Sequence, residues 1–244
     1  MCKLDTFVTL RRRLLIVGLT VATLIAAPLS TFAADSGKLK IGVIGSGKVG
    51  SALGSAWIKA GHEVMFSSTH LEEDQQLAAS LGALAHAGTP REAAAYGDVV
   101  LVSIPFSALP TVGKEVGDLL KGKVVIDTVN AYERRDGAMA VEAMNKGVAK
   151  ATAELLPGAH TVRAFNAIGA NRMGTAGFES PGKIGIPLSG QDEAAVATVA
   201  TLIREIGFEP VVLDFKLANY LHPGTELRGE HSPDEIREIV KTLK

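Results

Sequence analysis

The run Leu39-Lys40-Ile41-Gly42-Val43-Ile44, followed without a break by Gly45-Ser46-Gly47-Lys48-Val49-Gly50, constrains this chain more than any other stretch. An apolar strand that ends in Gly-x-Gly-x-x-Gly and opens into a helix is the fingerprint of a dinucleotide-binding βαβ unit. Gly45 permits the tight turn, Gly47 lets backbone N–H groups approach a pyrophosphate, and Gly50 lets the helix lie close on the sheet. The helix over 49–60 carries Val49, Leu53 and Trp57 at four-residue spacing, which makes Trp57 a packing residue. Its N-terminus, rich in unpaired N–H groups, favours an anion.

From there strands and helices alternate. Apolar runs predict strands over 62–66, 83–87, 98–104, 123–127, 161–165, 183–189 and 208–213. Helices are expected over 72–81, 109–120, 138–156 and 193–206. Thr89 caps a further helix with Pro90 at its first position, and Ser232-Pro233-Asp234-Glu235 forms a capping box before a last helix. The expected fold class is α/β, with a single doubly wound Rossmann-type parallel sheet of about eight strands filling residues 34–244 as one nucleotide-binding domain.

The first 33 residues have a different character. Arg11-Arg12-Arg13, an apolar stretch over 14–27 and small residues ending at Ala33 have the layout of a signal peptide. An uncleaved membrane anchor is the rival, although the apolar core is short and broken by Pro28, so the mature chain is expected to have no stable membrane span. The three arginines fit either a twin-arginine signal, which exports folded and cofactor-loaded proteins, or an ordinary charged n-region. The expected location is therefore periplasmic or extracellular. Of the 25 basic and 26 acidic residues, four basic and one acidic lie in this segment, which leaves 21 against 25. A net-acidic mature chain without a basic cluster argues against nucleic acid. The single cysteine, Cys2, leaves with the signal, so disulfides, thiolate catalysis and cysteine-bound metal are excluded, and no metal site is expected.

In an open sheet of this kind, ligands occupy the crevice at the carboxyl ends of the strands. At the end of the second strand stand Ser67-Ser68-Thr69-His70, with no carboxylate until Glu72. An acidic residue there would grip the ribose of NAD and repel a 2′-phosphate, so hydroxyls and a histidine point to NADP. Ser103-Ile104-Pro105-Phe106 and Asn130 follow the fourth and fifth strands, and Pro105 with Phe106 would wall a flat ring. His62 and His160 border strands and read as structural. His222 is the histidine placed to approach the cleft mouth.

Phe165-Asn166-Ala167-Ile168-Gly169, the glycine turn, the link Ala60-Gly61-His62-Glu63-Val64, the segment Leu202 to Pro210 and Leu217-Ala218-Asn219-Tyr220-Leu221 together resemble the NADPH:coenzyme F420 oxidoreductase family. The resemblance runs from about residue 39 to 221. It implies hydride transfer between NADP and a deazaflavin (coenzyme F420) or flavin ring as second substrate. It implies that Gly45 to Gly50 with Ser68 and Thr69 hold the nucleotide. Phe165, Asn166 and Ile168 would lie near the ring pocket with Asn219 nearby, and a homodimer is a further expectation. Thr69-His70 stands where many relatives carry an arginine, and 222–229 with a charged helix replaces the family's apolar C-terminal helix.

Direct ring-to-ring hydride transfer needs two planes held in contact and no protein acid or base, so no catalytic side chain is assigned. The expected function is an NADP-dependent oxidoreductase acting on a flavin-like or small carbonyl acceptor. The alternative is a non-catalytic NADP-binding sensor or carrier module, which the fold equally permits.

Overall fold

The computed structural model describes residues 37–243; the signal-peptide reading falls on residues outside these. The apolar runs become eight strands: β1 (Lys40–Ile44), β2 (Glu63–Ser67), β3 (Ala85–Ala87), β4 (Val99–Val102), β5 (Val124–Asp127), β6 (His160–Ala164), β7 (Gly185–Gly190) and β8 (Glu209–Val212). They form one sheet in the order β3-β2-β1-β4-β5-β6-β7-β8. The order reverses between β1 and β4, which opens a crevice at the carboxyl ends of those two strands.

Burial on both faces explains why the strands read as continuous apolar runs. On β4, Val99 and Leu101 join the core on one face, and Val100 and Val102 join the core on the other. The first face is covered by α1 (Lys48–Lys59) and α10 (Glu193–Glu205), the second by α4 (Leu109–Leu120), α6 (Ala138–Lys146) and α7 (Val148–Leu155). Trp57 is fully buried on the first face, donates its indole N–H to Leu202 O at 3.1 Å, and meets Phe165 edge-on at 6.5 Å. The capping box expected of Ser232 with Glu235 forms at the start of α11 (Pro233–Thr242), and Thr89, expected as a cap, forms one as well with Glu92 at the start of α3 (Pro90–Tyr96).

Two differences from the sequence reading have physical causes. The first six strands are parallel, but β7 runs antiparallel to β6, and β8 runs parallel to β7. A parallel neighbour requires a crossover of a dozen or more residues, usually a helix on the sheet face. The connection over 165–184 holds only the one-turn helices α8 (Ala170–Met173) and α9 (Ala176–Glu179), so the chain returns at the same end of the sheet. The second difference is that the helix expected over 138–156 is broken into α6 and α7 at Gly147. An alanine-rich stretch hides this break, because it depends on one residue at φ +95° against which the Asn219 amide packs. His62 is structural as expected: its Nδ1 accepts from Leu39 N–H at 3.0 Å, and Nε2 lies 2.7 Å from Glu205.

Among the described residues no helix is long and apolar enough to cross a membrane. A Cβ at position 147 would sit 2.7 Å from Asn219 Nδ2 on a backbone that L-residues rarely adopt. Gly147→Ala is therefore expected to cost about 1–3 kcal/mol, measured by urea unfolding followed through Trp57 fluorescence.

Candidate functional site

The glycine turn sits at the crevice. Gly45 adopts φ +96°, and its N–H and that of Ser46 donate to Ser67 O at 2.8 and 3.1 Å, which clamps the turn to the end of β2. A Cβ on Gly45 would lie 2.2 Å from Ser103 O, whereas one on Gly47 would meet nothing within 4 Å. That open space, directly before the twelve-residue α1, is what a diphosphate needs in order to reach the backbone N–H groups and the positive helix end. On these observations the residues fit a dinucleotide.

A groove of about 220 Å³ starts at Gly47, Lys48 and Val49 and passes Ser103, Ile104 and Pro105 after β4. It continues past Thr128, Asn130 and Tyr132 into a space of about 350 Å³ lined by Phe165 to Ala170, Met173, Pro223, Arg228 and Gly229. The two spaces share Val49, Thr128, Asn130 and Tyr132, so they form one groove across the ends of β1, β4, β5 and β6.

Its floor depends on a buried ion pair. Asp127 and Arg163 face each other in register on β5 and β6 and are both almost fully buried. Arg163 Nη1 donates to Asp127 Oδ2 at 2.8 Å and to Val129 O at 3.0 Å, and Nη2 donates to Leu221 O at 3.0 Å and Asn130 Oδ1 at 3.4 Å. One guanidinium thus holds the loop after β5 and the segment at 221. Asn130 in turn donates to Asn166 O at 2.9 Å.

Phe165 begins the loop after β6 at φ +64°, the sole non-glycine residue with positive φ among the described residues. Edge-on packing between Trp57 and Phe208 holds it there. Such strain costs of order 1–3 kcal/mol and collects at functional sites. The next residue, Asn166, is buried, lines the groove, and has an Oδ1 without a hydrogen-bond partner. A buried acceptor left open beside a groove suits a ligand N–H.

Several expected site residues are placed elsewhere. Phe106 does not wall the groove with Pro105. A single 3-10 turn over Phe106–Ala108 carries it into the opposite core face, where it is buried and lines a separate cavity of about 200 Å³ with Pro110, Met139 and Leu155. Asn219 packs on Gly147, and it does not line the groove. Ser67 is fully buried with its hydroxyl donated to Val43 O at 2.7 Å, so only its carbonyl serves the turn. Ser68 and Ser46 both donate to Asp74, while Thr69 and His70 are exposed.

His222 stands behind the groove. Its Nδ1 accepts from Gly224 N–H at 3.1 Å, and Nε2 faces Ala131 O at 3.3 Å, which places the proton on Nε2. Burial pushes its imidazole below the usual histidine range, the Ala131 contact opposes this, and the nearby Arg163 charge adds to the lowering. A neutral ring so held fastens the loop of Pro223 to that of Tyr132.

Tyr132, Arg135, Pro223 and Arg228 line the groove without having been expected there. The ion pair did leave a trace in the sequence: a lone charge in each of two otherwise apolar strand ends. Asp74 left none, because it is one of three successive acids.

Residues 40–131 match the family described as NADP oxidoreductase, coenzyme F420-dependent, so the resemblance carried by the glycine turn is shown over that stretch. Among solved structures, a hypothetical protein from Sinorhizobium meliloti is 24% identical with a TM-score of 0.68, covering 79% of this chain and 94% of that one. A candidate F420-dependent NADP-reductase from Arthrobacter is 21% identical with a TM-score of 0.64, covering 79% of this chain and 98% of that one. A reductive aminase from Aspergillus terreus in complex with NADPH and ethyl-5-oxohexanoate is 18% identical with a TM-score of 0.54. There the match covers 73% of this chain and 56% of that one. At these identities the likeness establishes a shared Rossmann-type fold.

Asp136 joins two of the groove's walls. It accepts from Ser107 N–H and Oγ–H at 3.2 and 2.9 Å, from Tyr132 N–H at 3.0 Å and from Arg135 at 2.8 Å. Burial alone would raise its pKa, but the hydrogen bonds from Arg135, Tyr132 and Ser107 prevail and hold it at about 2. A depressed carboxyl stabilises the fold above its unfolded value, and this stabilisation is lost as pH falls through the folded one. Asp136→Asn should therefore cost about 2 kcal/mol at pH 7, and the deficit should shrink steadily below about pH 4, measured as unfolding free energy against pH.

Proposed function

We propose that this chain, whose residues 40–131 match an NADP oxidoreductase family, binds NADP(H) in the groove and exchanges a hydride with a flat acceptor of flavin or deazaflavin type. The observation that carries this is the continuity of one groove from the open turn at Gly47 to Asn166, which lines its wider part. When bound, the nicotinamide supplies the hydride. The Gly45-to-Gly50 turn would hold the diphosphate, and Ile104 with Pro105 would give the ring an apolar wall. Asn166, in the lining of the wider part, would meet the carboxamide.

The acceptor would lie in the wider part of the groove, against Ile168, Met173 and Pro223. At about 350 Å³ that part reaches the range of small-ligand sites, and its wall is largely apolar. Positioning then provides the rate, since the groove-lining residues include no histidine or carboxylate. A small carbonyl acceptor would also need a proton, for which Tyr132 is the available hydroxyl: that of Thr128 is donated to Val102 O at 3.0 Å. Export directed by residues 1–33 belongs to the same proposal.

The test mixes the protein with NADPH under anaerobic conditions and follows nicotinamide absorbance with a flavin, a deazaflavin and small carbonyl compounds in turn. Saturable oxidation with a ring acceptor is expected. It should slow at least about tenfold in Asn166→Ala, with Tyr132→Phe nearly unaffected. Tight NADPH binding without oxidation by any acceptor class would contradict hydride transfer and support a sensor or carrier instead.

A further inference from the structure

The end of β2 faces the adenosine side of the crevice, where an acidic residue or an arginine ordinarily decides between a ribose hydroxyl and a 2′-phosphate. In this structure that position is organised by a residue lying beneath it. Asp74, in the first turn of α2 (Leu71–Leu81), is 1% exposed. Its two carboxylate oxygens accept from two hydroxyls: Ser46 of the glycine turn, and Ser68 after β2 at 2.8 Å. His70 N–H donates to Ser68 Oγ at 3.0 Å.

The donor count follows. A serine hydroxyl has one proton, and both protons here are donated to Asp74, so Ser46 and Ser68 have only lone pairs left for a ligand at the end of β2. A ribose hydroxyl can donate to those lone pairs. A phosphate dianion brings further acceptors and meets none of the donors that the serines would otherwise supply. Glu72 and Glu73 add exposed negative charge beside Asp74, and no lysine or arginine occurs between Lys59 and Arg91. Like charge without a guanidinium partner opposes a 2′-phosphate.

On the premise that the groove holds a nicotinamide dinucleotide, we propose that Asp74 sets the choice between phosphorylated and unphosphorylated ribose through Ser46 and Ser68, so that NADH is accepted at least as readily as NADPH. Asp74 is a positioning residue, since it acts through the two serines. In Asp74→Asn an amide N–H replaces one acceptor, which frees a serine proton for a ligand at the end of β2.

The experiment titrates the wild-type protein, Asp74→Asn and Glu73→Gln with NADH and NADPH, following nicotinamide fluorescence. Trp57 fluorescence serves as the check on folding. For the wild type, an NADPH dissociation constant equal to or above that for NADH is expected. Asp74→Asn should move the ratio about tenfold toward NADPH, equivalent to about 1.4 kcal/mol. Glu73→Gln, which removes an equal charge without touching the serines, should move it by less than about threefold.

A wild-type preference for NADPH beyond the error of the two titrations would overturn the proposal, whether or not the variants fold. So would an unchanged ratio in folded Asp74→Asn, or an equal shift in Glu73→Gln. Binding of neither nucleotide to folded wild type would remove the premise along with it, whereas a wrong preference with tight binding would leave the dinucleotide site standing.

Discussion

The ion pair between Asp127 and Arg163 is the constraint on which the rest of the site depends. Removing two charges from water costs several kcal/mol for each ion, and the pair is tolerated only where further hydrogen bonds satisfy both partners. Here they do at every atom but Arg163 Nε, which is buried without a partner. Arg163 spreads its Nη donors over Val129 O, Leu221 O and Asn130 Oδ1, and Asp127 Oδ1 accepts from Val129 N–H at 2.8 Å. Those partners belong to the loop after β5 and to the segment that brings Pro223 to the groove. The electrostatic cost of burying the pair thus yields a fixed floor, on which Asn130 and Asn166 are held relative to each other.

Two features carry the argument from fold to chemistry. The reversal of strand order at β1 and β4 opens the crevice, and the glycine turn leaves room at Gly47 for an anion at the start of α1. At the other end, Phe165 is held in a strained conformation by Trp57 and Phe208, and Asn166 is left with an unsatisfied buried oxygen. Both features cost stability, and both line one groove. This is the pattern expected where a backbone is organised around a ligand.

Much of the fold was legible in the sequence, because parallel strands buried on both faces read as apolar runs bounded by glycine and proline. Thr89–Glu92 and Ser232–Glu235 announced their helices by chemistry local to four residues. Relations set by tertiary contact were not legible. The break at Gly147 rests on Asn219 packing from a distant segment, and the reversal of β7 rests on how the 165–184 connection lies. Phe106 follows Pro105 directly, yet one turn of 3-10 helix sends it to the opposite face. The hydroxyl of Ser68 looked like a phosphate donor until the fold brought Asp74 beneath it. Asn130, Asn166 and Ile168, by contrast, were found from position after a strand or from the family resemblance, and all three line the groove.

The central claim is that a dinucleotide lies along the whole groove, from the glycine turn to Asn166. Amide hydrogen exchange of the protein with and without saturating NADPH tests it most directly. The account predicts simultaneous protection over 45–50, 103–105, 128–132 and 165–170, with the helical face around Met139 unchanged. Protection confined to the glycine turn, or centred on the cavity beside Phe106, would contradict it.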